Sequence, residues 1–149
     1  MKNGHNTPII ADSSALVSLS SITDNNHQIA NRQSLQIKKT DRQVIVPGEI
    51  FSETLNVLGK KVSKEIAIRT GSKIIKTKMF IIAETTLEVR IEALEKFQKQ
   101  PKSVSFTDCI VMAFADEYET REIFGFDDAF RKNGYIRFGI DKSEVKSLK

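Results

Sequence analysis

Cysteine occurs once in this 149-residue chain, at Cys109, and histidine twice, at His5 and His27. A lone thiol excludes an internal disulfide framework and fits a reducing compartment. Both histidines lie in polar segments, expected to be exposed, with no partner at ligand spacing. That argues against zinc chemistry and against a histidine base. No apolar run approaches the ~18 residues that a membrane-spanning helix needs. The opening residues MKNGHNTP lack the apolar middle section of a secretory signal, so a soluble, cytoplasmic chain with no membrane partner is expected. The phosphate-cradling pattern GxxxxGK[ST] is missing too, which argues against an NTPase. Neither sign of charge dominates: the net charge of +4 permits a polyanionic partner without requiring one.

What is present is an alternation of strand and helix patterns, with no repeat and no low-complexity block. PIIA (8–11) reads as a first strand, and Ala15 to Leu19 as the start of a helix. The polar stretch 23–42 carries Ile29, Leu35 and Ile37, so a second, mostly exposed helix is expected there. QVIVP (43–47) reads as a buried strand, with Pro47 suited to the first helical position because it has no N–H to leave unsatisfied. A helix follows over 48–62, and another over 63–75 that should break or end near Gly71. KMFIIAE (78–84) gives a third strand. The next helix, 85–100, has Leu87, Ile91, Leu94 and Phe97 at helical spacing and is stopped by Pro101. SFTDCIVMAFADEYE is apolar enough to be a buried helix, with Cys109 as a small core filler. REIFGF (121–126) is a fourth strand, and 135–139 a fifth after the Asn133-Gly134 turn. Strands separated by helices of this length predict an α/β fold: a three-layer α/β/α sandwich with a mainly parallel sheet of four to five strands. It should occupy residues 8–139, between a short tail (1–7) and a charged tail (140–149).

In such a sheet every strand-to-helix junction lies at the C-terminal edge, where ligands bind. Asp12 follows strand one, and Asp127 follows strand four. Glu53 lies in the helix after strand two, and Asp108 in the first turn of the buried helix. Each acid has an ordinary explanation. Asp12 and Asp127 can cap helices, and Asp108 forms a capping box with Ser105. Glu53 resists that explanation best, since it shares a helix face with Ile50 and Val57, where an uncompensated charge is costly. Its rival Glu49 sits in the first turn, where an acid is commonplace. Four converging carboxylates repel one another, and no Arg or Lys accompanies them within their motifs. A divalent cation answers that need, and all-oxygen ligands favour Mg²⁺ or Mn²⁺, one ion or two. Such ions activate water for phosphodiester hydrolysis. Two other acidic Mg²⁺ pockets fit less well: Ser13-Ser14 stands where a receiver domain needs a second acid, and Ser14 where a haloacid-dehalogenase phosphatase needs Asp.

The segments IIADSSAL, VIVPGEIFSETLN, SFTDCIVMAFA and FGFDDAF, in that order, resemble the PIN-domain ribonucleases, and within them the toxin-like single-domain (VapC-type) group. The likeness runs from about Pro8 to Gly139. It implies a Mg²⁺- or Mn²⁺-dependent endoribonuclease in which Asp12, Glu53, Asp108 and Asp127 bind metal. By that resemblance Asp12 and Asp108 touch the ion directly, and Glu53 holds or deprotonates the attacking water. Ser14, Thr107 and Asn56 orient these groups. RNA is the implied substrate, a homodimer the implied assembly, and a small antitoxin the implied partner. One departure stands out: Gly125 occupies a place where the family often has Ser or Thr. The segment 24–42 is also longer than the family pattern, which makes it a candidate arm for substrate or partner. Candidate RNA-binding cations are Lys38, Lys39 and Arg42, then Lys60, Lys61 and Lys64, then Arg131 and Lys132, each of which equally suits a solvated surface. The alternative is a PIN-like module that has lost activity and only binds RNA or protein.

Overall fold

Valine and isoleucine fill the short runs expected to be strands, and β-branched side chains pack well on a pleated surface buried on both sides. In the computed structural model, which describes residues 7–141, they form β1 (Ile9–Ala11), β2 (Val44–Pro47), β3 (Phe80–Ala83), β4 (Glu122–Phe124) and β5 (Ile136–Arg137). These make one sheet in the order β3-β2-β1-β4-β5, with every pairing parallel. Among the described residues seven helices cover it: α1 (Ser13–Ser20), α2 (His27–Lys39), α3 (Gly48–Lys61), α4 (Lys64–Lys76), α5 (Leu87–Gln98), α6 (Phe106–Glu117) and α7 (Asp128–Lys132). The buried helix α6 lies on β1, β2 and β4 and carries α5 on its outer side, while α1 packs on α2 and α3, and α3 on α4. The result is the expected three-layer sandwich. Its core joins Ile9, Ile10, Val44 and Ile123 of the sheet to Leu16, Ile50, Ile110 and Met112 of the helices.

Several local expectations are corrected. Pro47 remains in β2, paired with Ala83, and serves as the N-cap of α3; its ψ of 145° is extended, so the helix begins one residue later, at Gly48. Helix α4 runs unbroken through Gly71, where a Cβ would lie 2.9 Å from Leu55 Cδ2. Glycine there lets α4 approach α3 closely rather than ending the helix. In α2 the buried residues are Ala30, Gln33 and Ile37, and both Ile29 and Leu35 face outward. Likewise α5 buries Val89 and Ala93, leaving Leu87 (67% exposed), Ile91 and Leu94 on the outside, with Phe97 edge-on to Phe106. His27 is half-buried, its Nδ1 2.9 Å from the Ser18 carbonyl oxygen. His5 and the tail beyond Asp141 lie outside the described residues.

Candidate active site

Asp12 is the first residue past β1, and its N–H donates to the Phe124 carbonyl of β4 at 2.9 Å, which fixes it at the sheet's C-terminal edge. Its Oδ2 accepts from the Ser14 N–H (3.2 Å) and from the Ser14 hydroxyl (2.7 Å), capping α1 as the local sequence allows. Ser14 Oγ in turn accepts from the Phe126 N–H at 3.1 Å, tying Asp12 to the turn that presents Asp127. Ser13, which sequence reasoning passed over, donates its hydroxyl to Glu53 Oε2 and so joins α1 to α3. Asp108 completes the capping box with Ser105, both bonds at 3.1 Å. Asp127 caps α7 through a 2.9 Å bond from the Ala129 N–H and stays exposed. Capping and site therefore coincide at three acids.

Electrostatics separate these acids from ordinary caps. Asp12 is 5% exposed, and burial raises its carboxyl from 3.8 to about 6; the Ser14 bonds oppose the rise, and the charges of Asp108 and Glu53 add to it. Burial also raises Asp108, against the pull of Ser105, with Asp127 and Glu53 contributing like-charge repulsion. Asp108 thus lies within electrostatic reach of the other three acids, and among the described residues none of the four forms an ion pair. Glu49 differs. Burial pushes its carboxyl up, but the Thr85 hydroxyl, its own backbone and Arg90 outweigh that and hold it below the usual range. Its Oε2 pairs with Arg90 at 2.9 Å. That contrast favours Glu53 over Glu49 as the acid in need of a cation.

Beside Glu53 opens a cleft of about 630 Å³ that reaches Thr107 and Asn56 on one side and Glu84, Thr85 and Arg90 on the other. On the opposite flank, Gly125 packs against Asp12. A Cβ there would stand 2.8 Å from Asp12 Cβ, 3.2 Å from Phe130 Cε2 and 3.4 Å from Ile123 Cγ2. In this chain the space beside Gly125 is thus closed to a side chain.

The candidate cations divide. Lys38 and Arg42 line a hollow with Gln43, Lys78 and Met79 at the N-terminal edge of the sheet, opposite the acids. Arg42 is buried, pairs with Glu122 and donates its Nε–H to the Thr7 carbonyl at 2.9 Å, which takes it out of any RNA-binding surface. Arg42→Ala is accordingly expected to cost about 2 kcal/mol in a urea titration, by stranding Glu122, and to leave any catalytic activity unchanged. Lys39, Lys60, Lys61 and Lys64 are exposed or nearly so at helix ends. Arg131 and Lys132 surround Asp128, next to Asp127. They are joined there by Arg137, which sequence reasoning missed; it bonds the Phe126 carbonyl at 3.0 Å and pairs with Asp141 at 2.9 Å.

Carboxylate oxygens brought together without a counter-charge suit a hard divalent cation that keeps several waters. Among the described residues no three His, Cys, Asp or Glu side chains stand close enough to enclose an ion by themselves. Water and substrate oxygens would have to complete its shell.

A family model described as the PIN domain matches residues 9–134, a span that includes all four acids. No curated protein matches the sequence. Among solved structures, the chain is similar in fold to the crystal structure of Mycobacterium tuberculosis VapC20, a toxin described as cleaving the sarcin-ricin loop. The TM-score is 0.75 at 18% sequence identity, over 86% of this chain and 96% of that one.

Proposed function

This chain belongs to the PIN-domain family, and from that premise we propose that it is a Mg²⁺- or Mn²⁺-dependent endoribonuclease, the toxin of a toxin–antitoxin pair. The observation that carries the proposal is the set of four acids from four separate segments, linked electrostatically through Asp108 and without ion pairs among the described residues. Asp12, Asp108 and Asp127 would hold the cation, with water and substrate oxygens completing its shell. When bound, the ion supplies Lewis acidity, lowering the pKa of water and stabilising the leaving oxygen. Glu53, with Oε2 already held by Ser13, orients the attacking water and accepts its proton. Ser14 keeps the Asp12 carboxylate in one orientation, and Thr107 and Asn56 line the approach. Attack by water rather than by the ribose 2′-hydroxyl leaves a 5′-phosphate and a 3′-hydroxyl.

The toxin assignment is supported by the fold it shares with VapC20. Two uncovered apolar surfaces support the expected companions. The outward face of α5 suits a second copy of the chain. The groove between α1, α2 and α4, lined by Leu19, Ile22, Leu35 and Ile66, suits a small antitoxin. Among the described residues no helix is long and apolar enough to cross a membrane.

The purified protein should cleave RNA with Mg²⁺ or Mn²⁺, stop in EDTA and resume when Mn²⁺ is restored. Its products should be ligatable at their 5′ ends without a kinase. Cleavage that persists in EDTA, or that leaves 2′,3′-cyclic phosphates, would overturn the mechanism. RNA binding with no cleavage under any metal would favour the inactive binding module.

A further inference from the structure

Among the described residues, the cleft beside Glu53 is lined by three glutamates, Glu49, Glu53 and Glu84, and by a single cation, Arg90. An acidic cleft repels a phosphate backbone unless cations on its rim offset it. Arg90 is in the first turn and a half of α5, on the β3 side of the sheet edge, and its side chain is about half exposed (49%). Its Nη1 is held by Glu49 at 2.9 Å, and Glu49 is itself held by the Thr85 hydroxyl. Among the described residues no other acceptor takes up the guanidinium. A guanidinium presents five N–H donors in a fixed fork, so most of them remain to face the cleft. The Thr85–Glu49 anchor fixes the head of a long side chain in advance, which reduces the entropy lost when a ligand binds.

We infer that Arg90 binds a phosphate of the RNA strand, on the β3 side of the bond that is cut, and so leads the strand through this cleft to Glu53. The inference rests on the nuclease reading above. It assigns the cleft a direction: the strand crosses the C-terminal edge of the sheet, from Arg90 beside β3 toward the Asp127 turn beside β4. The sequence runs rich in lysine lie elsewhere. The sequence around Arg90 gives no sign of this role, because its anchor is 41 residues away and its neighbours along α5 are mixed acids and apolar residues.

The test uses the full chain. Binding is measured by fluorescence anisotropy in an Asp12→Asn background, with a short labelled single-stranded oligoribonucleotide of mixed sequence, across a salt series. Arg90→Ala should weaken binding roughly tenfold, the loss of one charge-assisted contact, and reduce the slope of log K against log salt by about 0.7. In the otherwise wild-type enzyme, KM should rise while kcat changes little, and Arg90→Lys should restore part of the loss. Arg69→Ala, on the exposed face of α4, is the control and should alter neither quantity. Unchanged affinity, slope and KM in a folded Arg90→Ala protein would overturn the inference and leave the nuclease reading intact. Failure of the wild-type chain to bind or cleave RNA would overturn both.

Discussion

Replacing Asp12 with asparagine is expected to abolish RNA cleavage, by on the order of 10³-fold, and to make the metal-free protein more stable at neutral pH. The loss of activity follows from the loss of the charge that holds the cation. The gain in stability follows from burial. Asp12 titrates at about 6 in the folded chain, against an ordinary value of 3.8. Below about pH 4 it is protonated whether or not the chain is folded, and no penalty exists. Between 4 and 6 the folded chain retains a proton that the unfolded chain has released, so stability falls as pH rises. Above 6 the penalty is complete, about 3 kcal/mol at 1.36 kcal/mol per unit. Asparagine keeps an oxygen for the Ser14 bonds and never ionises. Urea titrations in EDTA should therefore show Asp12→Asn more stable than wild type by up to about 3 kcal/mol at pH 7, and nearly equal to it at pH 4. A variant no more stable than wild type at pH 7 would mean that the buried Asp12 carboxylate carries no penalty in the folded chain.

The second large effect is expected at Gly125. Valine there has no room: its Cβ alone would press on Asp12 Cβ at 2.8 Å and on the ring of Phe130 at 3.2 Å. Phe130 is fully buried, and Asp12 is pinned by backbone on both sides, so neither yields cheaply. Gly125→Val should cost about 1–3 kcal/mol, the usual range for overpacking. It should also lower cleavage more than tenfold by displacing the Asp12 carboxylate. Gly125→Ser should show the same direction with smaller size, even though it moves the sequence toward the family pattern. Thermal melts and initial cleavage rates would check both. A serine variant that folds well and cleaves faster would show that the close packing of Asp12 against position 125 is relaxed in solution.

Much of the placement of the candidate site was legible because strand order and strand polarity do the placing. Once Asp12, Asp108 and Asp127 are each assigned to the junction of a strand or loop with a helix, a parallel sheet puts them on one edge without any contact being known. Glu53 was legible from helical period alone, since Ile50 is indeed buried and Glu53 and Val57 lie half-buried beside it. Other features were hidden for physical reasons. Periodicity tells that Leu87, Ile91 and Leu94 share a face but not which face; here α5 buries the small Val89 and Ala93 against α6 and turns the large residues outward. Composition cannot tell a lysine in solvent from an arginine such as Arg42, whose partner Glu122 is 80 positions away. Gly71 looked like a helix end because the side chain it makes room for, Leu55, belongs to a different helix.

Three of the four acids also begin helices, each held by backbone N–H groups at its own helix start. The amide counterparts of these residues keep an oxygen for those bonds, so an exchange of Asp for Asn preserves the helix starts, and at Asp12 it also removes a buried charge. Chemistry and architecture are thus inherited separately. On the proposed mechanism, a lineage descended from this chain would fall silent through one aspartate-to-asparagine exchange and still circulate as a well-folded protein, free to be kept for whatever its surface can grip.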